Sequence, residues 1–181
     1  MSKPTLATIW LDGCSGCHMS FLDMDERLFE IAERANIVYS PIVDAKEYPN
    51  DVDFCLVEGA VSSEEDLHKI RLVRERTRTL ISFGDCAVTA NVPALRNPIG
   101  VKPLMERAYV ENVTLNPGFP TDVVPVLLPT ARPVHRVVKV DVFLPGCPPS
   151  ADLIYQLLVD VLEGNPPDTH GARFGRGGAP T

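Results

Sequence analysis

Short apolar runs alternate with amphipathic stretches along most of the 181-residue chain. Four apolar runs are rich in β-branched or aromatic residues and end near turn residues, which predicts strands at Thr5–Leu11, Phe54–Val57, Thr79–Phe83 and Val137–Leu144. Apolar positions at helical spacing predict helices at Ser20–Ala35, from Ser62 or Ser63 towards Thr77, from Asp85 through Asn91, and from Ser150 to Leu162. The pattern therefore predicts a flavodoxin-like α/β domain over residues 1–164, with a doubly wound parallel sheet of four or five strands. Ser20 and Asp23 have the spacing of a capping box, which places the start of the first helix at Ser20.

Prolines interrupt this alternation in one region. Residues 97–133 hold seven of the 17 prolines, and one helix is predicted there, around Leu104–Val110. The region is longer than an ordinary connection and carries apolar residues that a solvated loop would not need, such as Leu115 and Phe119. We therefore predict a proline-rich insertion that packs against another protein. A Gly- and Pro-rich tail follows at 165–181, and we expect it to join the same interface.

The charge balance of the chain is acidic. Seventeen Lys and Arg residues against 24 Asp and Glu residues give a formal net charge of −7. Nucleic-acid and membrane-surface binding rest on clustered cations, so we expect neither kind of partner. No apolar run is long enough to span a bilayer, and the first residues pass into a predicted strand without room for a secretory signal. These features predict a cytoplasmic protein.

Four of the five cysteines follow predicted strands. Cys14 and Cys17 come after the first strand, Cys86 after the third and Cys147 after the fourth. Ligands of open α/β sheets bind at the carboxyl ends of the strands, so the four thiols should converge at one edge. Such a set suits either Zn²⁺ or an iron–sulfur cluster. The set contains one close pair and two distant cysteines, the last of which is followed by proline, and this spacing favours the cluster over zinc. The fifth cysteine, Cys55, lies inside an apolar run and is predicted to be a buried core residue.

Four segments carry a resemblance to a known family: WLDGCSGCHMSFLD, VEGAV, SFGDCAVTANVPALRN and FLPGCPPSADLIYQLL. They resemble the small, electron-transfer subunit of [NiFe] hydrogenases, most closely the short form found in soluble NAD-reducing enzymes. The resemblance covers Thr5 to about Pro167. It implies that Cys14, Cys17, Cys86 and Cys147 hold the proximal [4Fe–4S] cluster, which faces the [NiFe] site of a separate large subunit. The related complex I subunit has adjacent cysteines where this chain has Cys-x₂-Cys, which favours a hydrogenase.

The resemblance also implies the partners of the chain. Only Cys55 remains beside the four predicted ligands, so we expect one cluster in this chain and electron transfer to another subunit. The expected partners are the large [NiFe] subunit and an NADH dehydrogenase-like (diaphorase) module, which would hold FMN and further iron–sulfur clusters. The insertion and the cluster edge should pack against the large subunit in an obligate interface above roughly 2,000 Å². The alternatives are a cluster subunit of another cofactor-linked hydrogenase or complex I-like oxidoreductase, and a scaffold protein with a four-cysteine zinc site.

Two further polar residues lie near the predicted cluster. Glu58 ends the second strand, at a position where the family has a glutamate near the large subunit. It could transfer protons or tune the cluster, or it could only hydrogen-bond a neighbouring loop. For His18, which follows the second cysteine, a solvent-facing position is favoured over donation to a cluster sulfur. Asp12, Gly13 and Gly16 are interpreted as backbone residues that let the loop wrap a cluster, and no FMN is predicted in that loop.

Overall fold

The computed structural model describes residues 3–175, in which a parallel sheet is covered by helices on both faces. Within this range the strands are β1 (Thr5–Trp10), β2 (Asn36–Tyr39), β3 (Val52–Glu58), β4 (Val61–Ser63), β5 (Thr77–Phe83), β6 (Leu127–Arg132) and β7 (Val142–Leu144). Five of them form the parallel sheet in the order β2-β1-β3-β5-β7. This is the flavodoxin-like strand order, so the predicted fold class is confirmed.

Five of the six α-helices in the described residues pack on the two faces of the sheet, and the helix at Val101–Glu106 packs beside β6. The six helices are α1 (Gly16–Leu22), α2 (Arg27–Arg34), α3 (Glu64–Glu75), α4 (Asp85–Thr89), α5 (Val101–Glu106) and α6 (Ala151–Glu163). One core packs α1, α2 and α6 around Leu56 and Ile81, and the other packs α3 around Val57 and Leu80. The central strands are apolar on both faces because each face is buried. Within the described part of the chain, no helix combines the length and the apolar character needed to cross a membrane.

The first predicted helix, Ser20–Ala35, is wrong in its boundaries. The structure has two helices there, α1 and α2, and the chain turns between them at Asp25, which has a φ of 50°. The turn allows Met24 to be buried in the core. Ser20 does not cap a helix; it lies inside α1, where its hydroxyl donates to the backbone oxygen of Pro149 at 2.6 Å. The apolar residues keep helical spacing through this region, but the break at Asp25 buries Met24, so the spacing alone did not reveal two helices.

Two strand boundaries also differ from the prediction. The predicted strand Val137–Leu144 is paired only over its last three residues, and a 3₁₀ turn occupies Val134–Arg136. The apolar residues Val137, Val138 and Val140 of the unpaired part are partly buried against the core on the side of α3, so their apolar character reflects core packing. The strand β2 was not predicted, because it is a four-residue edge strand with half-exposed side chains. Such a strand lacks the apolar run that marks the central ones.

Part of the proline-rich insertion belongs to the domain's own fold. The predicted helix around Leu104–Val110 corresponds to α5 and a following π-helical turn at Arg107–Glu111. The strand β6 lies within the insertion and pairs with β4 in a separate antiparallel two-stranded sheet. Asn97 fixes this ladder, because its side chain accepts from the backbone nitrogen of Ala131 at 2.8 Å and donates to its oxygen at 2.9 Å. The segment between the π turn and β6 has no regular structure.

Candidate iron–sulfur site

Four cysteines, in three loops, lie at the carboxyl edge of the parallel sheet. Cys14 follows β1, and Cys17 lies in the first turn of α1. Cys86 lies in the first turn of α4, directly after β5, and Cys147 follows β7. Cys14 is exposed, Cys17 is buried, and the other two are half-buried. Among residues 3–175, no three His, Cys, Asp or Glu side chains are grouped closely enough to hold a single metal ion.

The four thiols lie within electrostatic reach of one another. Burial raises the pKa of Cys17, and the charges of Glu58 and of the three other cysteines raise it further. Burial also raises the pKa of Cys86 to about 11, with contributions from Cys14 and Cys147. Contacts between the backbones agree with these shifts, because the nitrogen of Asp85, next to Cys86, donates to the oxygen of Gly146, next to Cys147, at 2.8 Å. Thiols from three separate loops thus lie near one another.

Two glycines leave room for the sulfur atoms. Gly84 has a φ of +82°, and a Cβ atom there would lie 2.1 Å from the sulfur of Cys17. At Gly16 a Cβ atom would lie 3.2 Å from the sulfur of Cys14. Asp12 pairs through its backbone with Ala60, which ties the first cysteine loop to the chain after β3. The contact at Gly16 agrees with its interpretation as a backbone residue, whereas Gly84 was not singled out in the sequence.

His18 is buried, so the prediction that it faces solvent is wrong. Its side chain lies between strands of the sheet and α1, where Nδ1 hydrogen-bonds to the carboxylate of Glu58 and Nε2 to the hydroxyl of Thr8, 2.9 Å away. The ring packs edge-on against Trp10, with centroids 5.2 Å apart. Both ring nitrogens are engaged in these bonds, so neither is free to donate to sulfur. Thr8, a polar residue in the interior of a largely apolar strand, is the sequence signal that could have indicated a buried partner.

Glu58 holds the start of α1. Its carboxylate is buried and accepts hydrogen bonds from the backbone nitrogen of Cys17 at 3.2 Å and of His18 at 2.9 Å. The sequence left several roles open for Glu58, and the structure contains one of them, hydrogen bonds to a neighbouring loop. That loop carries Cys14 and Cys17. A buried carboxylate with several charge-assisted bonds fixes the backbone at Cys17.

Asp85 joins the loops of Cys86 and Cys147 to the tail. Its buried carboxylate accepts from the backbone nitrogen of Gly146 at 2.7 Å and of Gly175 at 2.6 Å. The backbone nitrogen of Cys147 in turn donates to the oxygen of Gly175 at 3.0 Å. The tail predicted at 165–181 thus contacts the cysteine edge through its described part, and residues 176–181 lie outside the described residues.

Cys55 is fully buried on β3, as predicted. It lies in the core on the side of α3, whereas Cys17 lies in the core on the opposite face of the sheet. Burial raises the pKa of its thiol to about 12. The structure therefore separates Cys55 from the four cysteines of the edge.

Comparison with known proteins identifies the family. Residues 14–161 match the family model described as "NADH ubiquinone oxidoreductase, 20 Kd subunit". The chain is 43% identical over 171 residues to the NAD-reducing hydrogenase HoxS subunit delta of Cupriavidus necator, a match that covers 92% of this chain and 82% of that protein. It is 38% identical to a subunit of the F420-non-reducing hydrogenase vhu of Methanocaldococcus jannaschii, where the match covers 88% of this chain but 56% of the relative.

Solved structures agree with the sequence comparison. A chain of an NAD⁺-reducing [NiFe]-hydrogenase in the H₂-reduced state superposes with a TM-score of 0.88 at 39% identity, covering 92% of this chain and 95% of that one. A [NiFeSe]-hydrogenase chain from Dm. baculatum gives a TM-score of 0.60 at 19% identity and shares the fold. The chain therefore belongs to the NADH ubiquinone oxidoreductase 20 kDa subunit family, as a hydrogenase small subunit of the NAD-reducing [NiFe] type.

Proposed function

We propose that this chain is the electron-transfer subunit of an NAD-reducing [NiFe] hydrogenase and holds one [4Fe–4S] cluster on Cys14, Cys17, Cys86 and Cys147. In this proposal the cluster is the one proximal to the [NiFe] site, which lies in the large subunit. The observation that carries the proposal is the position of the four cysteines, in three loops that contact one another, at the carboxyl edge of β1, β5 and β7. The 43% identity to the NAD-reducing relative supports the choice of electron acceptor.

The residues at the edge fit such a cluster. Four thiolates are the donor set of a [4Fe–4S] cluster, which when bound accepts and returns single electrons. Gly84 has no side chain, so the sulfur of Cys17 can approach the backbone closely. Glu58 fixes the backbone at Cys17, and Asp85 fixes it beside Cys147. These buried contacts hold the ligand positions and exclude water from the inner side of the site.

The exposed face of the insertion is proposed to bind the large subunit. Leu115 is 80% exposed and Val126 is 62% exposed, and an apolar groove of about 690 Å³ opens beside Tyr109 and Phe119. Contiguous apolar surface of this kind marks protein interaction sites. The insertion is continuous with the cysteine edge, because β6 pairs with β4, which follows β3 within a few residues. A large subunit whose [NiFe] site faces the cluster would therefore cover both surfaces.

The remaining parts of the electron path are assigned to partners. FMN, further iron–sulfur clusters and NAD binding are proposed for diaphorase subunits of the same complex. All five cysteines are free thiols in the described structure, which suits a reducing compartment, and we propose the cytoplasm.

Substitution of the cysteines in the assembled complex tests the proposal. Cys86→Ser and Cys147→Ser should each remove iron and acid-labile sulfide and abolish reduction of NAD by H₂. Cys55→Ala is the matched control, because it removes a thiol from the core and should leave the cluster spectrum unchanged. A colourless protein that contains zinc, or equal losses in all three variants, would refute the ligand assignment. An intact cluster in a complex that reduces another cofactor would refute the proposed acceptor.

A further inference from the structure

A tight turn follows α4 and lies beside two of the four cysteines. Helix α4 ends at Thr89 and is followed by Ala90, a buried non-glycine residue with a left-handed φ of 66°. This conformation is uncommon for residues with a side chain and often accompanies a functional constraint. It redirects the chain, so that Asn91 directly precedes a 3₁₀ turn at Val92–Arg96.

The side chain of Asn91 is directed at a cysteine sulfur. The side-chain Nδ2 of Asn91 donates to the sulfur of Cys147 at 3.7 Å, across 56 residues of sequence. Among the described residues, Asn91 is the only one whose side chain donates a hydrogen bond to any of the four cysteines.

The backbone of Asn91 is anchored. Its nitrogen donates to the hydroxyl of Thr89 at 3.3 Å, and that hydroxyl donates to the backbone oxygen of Asp85 at 2.8 Å. Its backbone oxygen accepts from Ala94 at 3.2 Å. An anchored donor keeps its position when the charge of the group that it faces changes. This fixed position distinguishes Asn91 from a mobile amide on the surface.

From this geometry we infer that Asn91 tunes the reduction potential of the cluster. The inference rests on the proposed function, because it requires a cluster on the four cysteines. Reduction adds negative charge that is shared by the thiolate sulfurs, and N–H donors stabilise the reduced state more than the oxidised one. Asn91 is therefore a tuning residue that acts through Cys147, and its removal should make the cluster harder to reduce.

The test is a potentiometric titration of the intact complex, followed by EPR. The signal of this chain's cluster is identified by its loss in Cys147→Ser. Asn91→Leu keeps the approximate size of the side chain without its N–H groups, and we expect the ratio of reduced to oxidised cluster at a fixed potential to fall by up to about tenfold, which corresponds to 59 mV for one electron. Asn97→Ala is the matched control: it removes an amide from the same region that bonds only the β6 backbone.

The outcomes separate the inference from the proposed function. If Cys147→Ser removes no cluster signal, the proposed function fails. If it removes the signal but Asn91→Leu leaves the potential unchanged, or Asn97→Ala shifts it equally, the inference alone is overturned. If Asn91→Leu does not assemble, pulsed EPR of the unmodified complex with ¹⁵N-labelled asparagine side chains decides the question. A weak ¹⁵N coupling supports the inference, and its absence overturns it.

Discussion

Gly84 offers the sharpest test of how the fold makes room for the cluster. It precedes α4 with φ 82° and ψ 164°, a backbone region that is essentially restricted to glycine. A methyl group there would lie 2.1 Å from the sulfur of Cys17 and 3.4 Å from the backbone oxygen of Gly146. We therefore expect Gly84→Ala to disturb the cluster site directly, through one of its proposed ligands.

The magnitude follows from the geometry. The backbone conformation alone costs an alanine about 1–3 kcal/mol. Non-bonded heavy atoms prefer separations of about 3.5–4.0 Å, so the sulfur of Cys17 must move by more than about 1 Å. This is several times the tolerance of about 0.2 Å on metal–ligand distances. The sulfur cannot retreat easily, because Cys17 is buried and its backbone is held by Glu58. Most of the cluster should therefore be lost.

The assay measures iron and acid-labile sulfide per complex, together with the thermal transition. Gly164→Ala is the control, because Gly164 also has a positive φ of 76° but nothing lies within 4 Å of its added Cβ. That variant should cost about 1–2 kcal/mol of stability and keep its cluster. A full complement of iron and sulfide in Gly84→Ala would refute the close approach of Cys17. Equal cluster loss in both variants would show that backbone strain alone is responsible.

Two further predictions concern the insertion and the tail. Hydrogen exchange at 115–126 should be much slower in the complex than in the separated subunit, because the exposed apolar face becomes buried; equal exchange in both states would contradict docking of this face. Asp85→Asn leaves one oxygen to accept from Gly146 or Gly175 and should lower the stability of the complex by about 1.5–3 kcal/mol in thermal denaturation. Asp152→Asn, at an exposed ion pair, should change it little, and similar losses in the two variants would argue against a special role of Asp85.

The sequence alone determined the class of fold and the place of the cysteines. Apolar runs that alternate with helical spacing specify βαβ units, and in a parallel sheet the residues after each strand meet at one edge. Cys14, Cys86 and Cys147 could therefore be placed together before any contact was known. Cys55 was assigned to the core from the apolar residues around it, and it is fully buried. These inferences need only local pattern and the general geometry of such sheets.

Only the tertiary structure decided which polar groups support the site. His18 is buried because Glu58, 40 residues away, bonds to its backbone and its ring. Asp85 reaches Gly175 across 90 residues, and Asn91 reaches Cys147 across 56. Hydrophobic periodicity records which face of an element is buried, but not which distant element covers it. Contacts of this kind depend on how the loops meet after folding, so the sequence indicated the cysteines and Glu58, while the contacts of Asp85 and Asn91 with the cysteine loops appeared only in the structure.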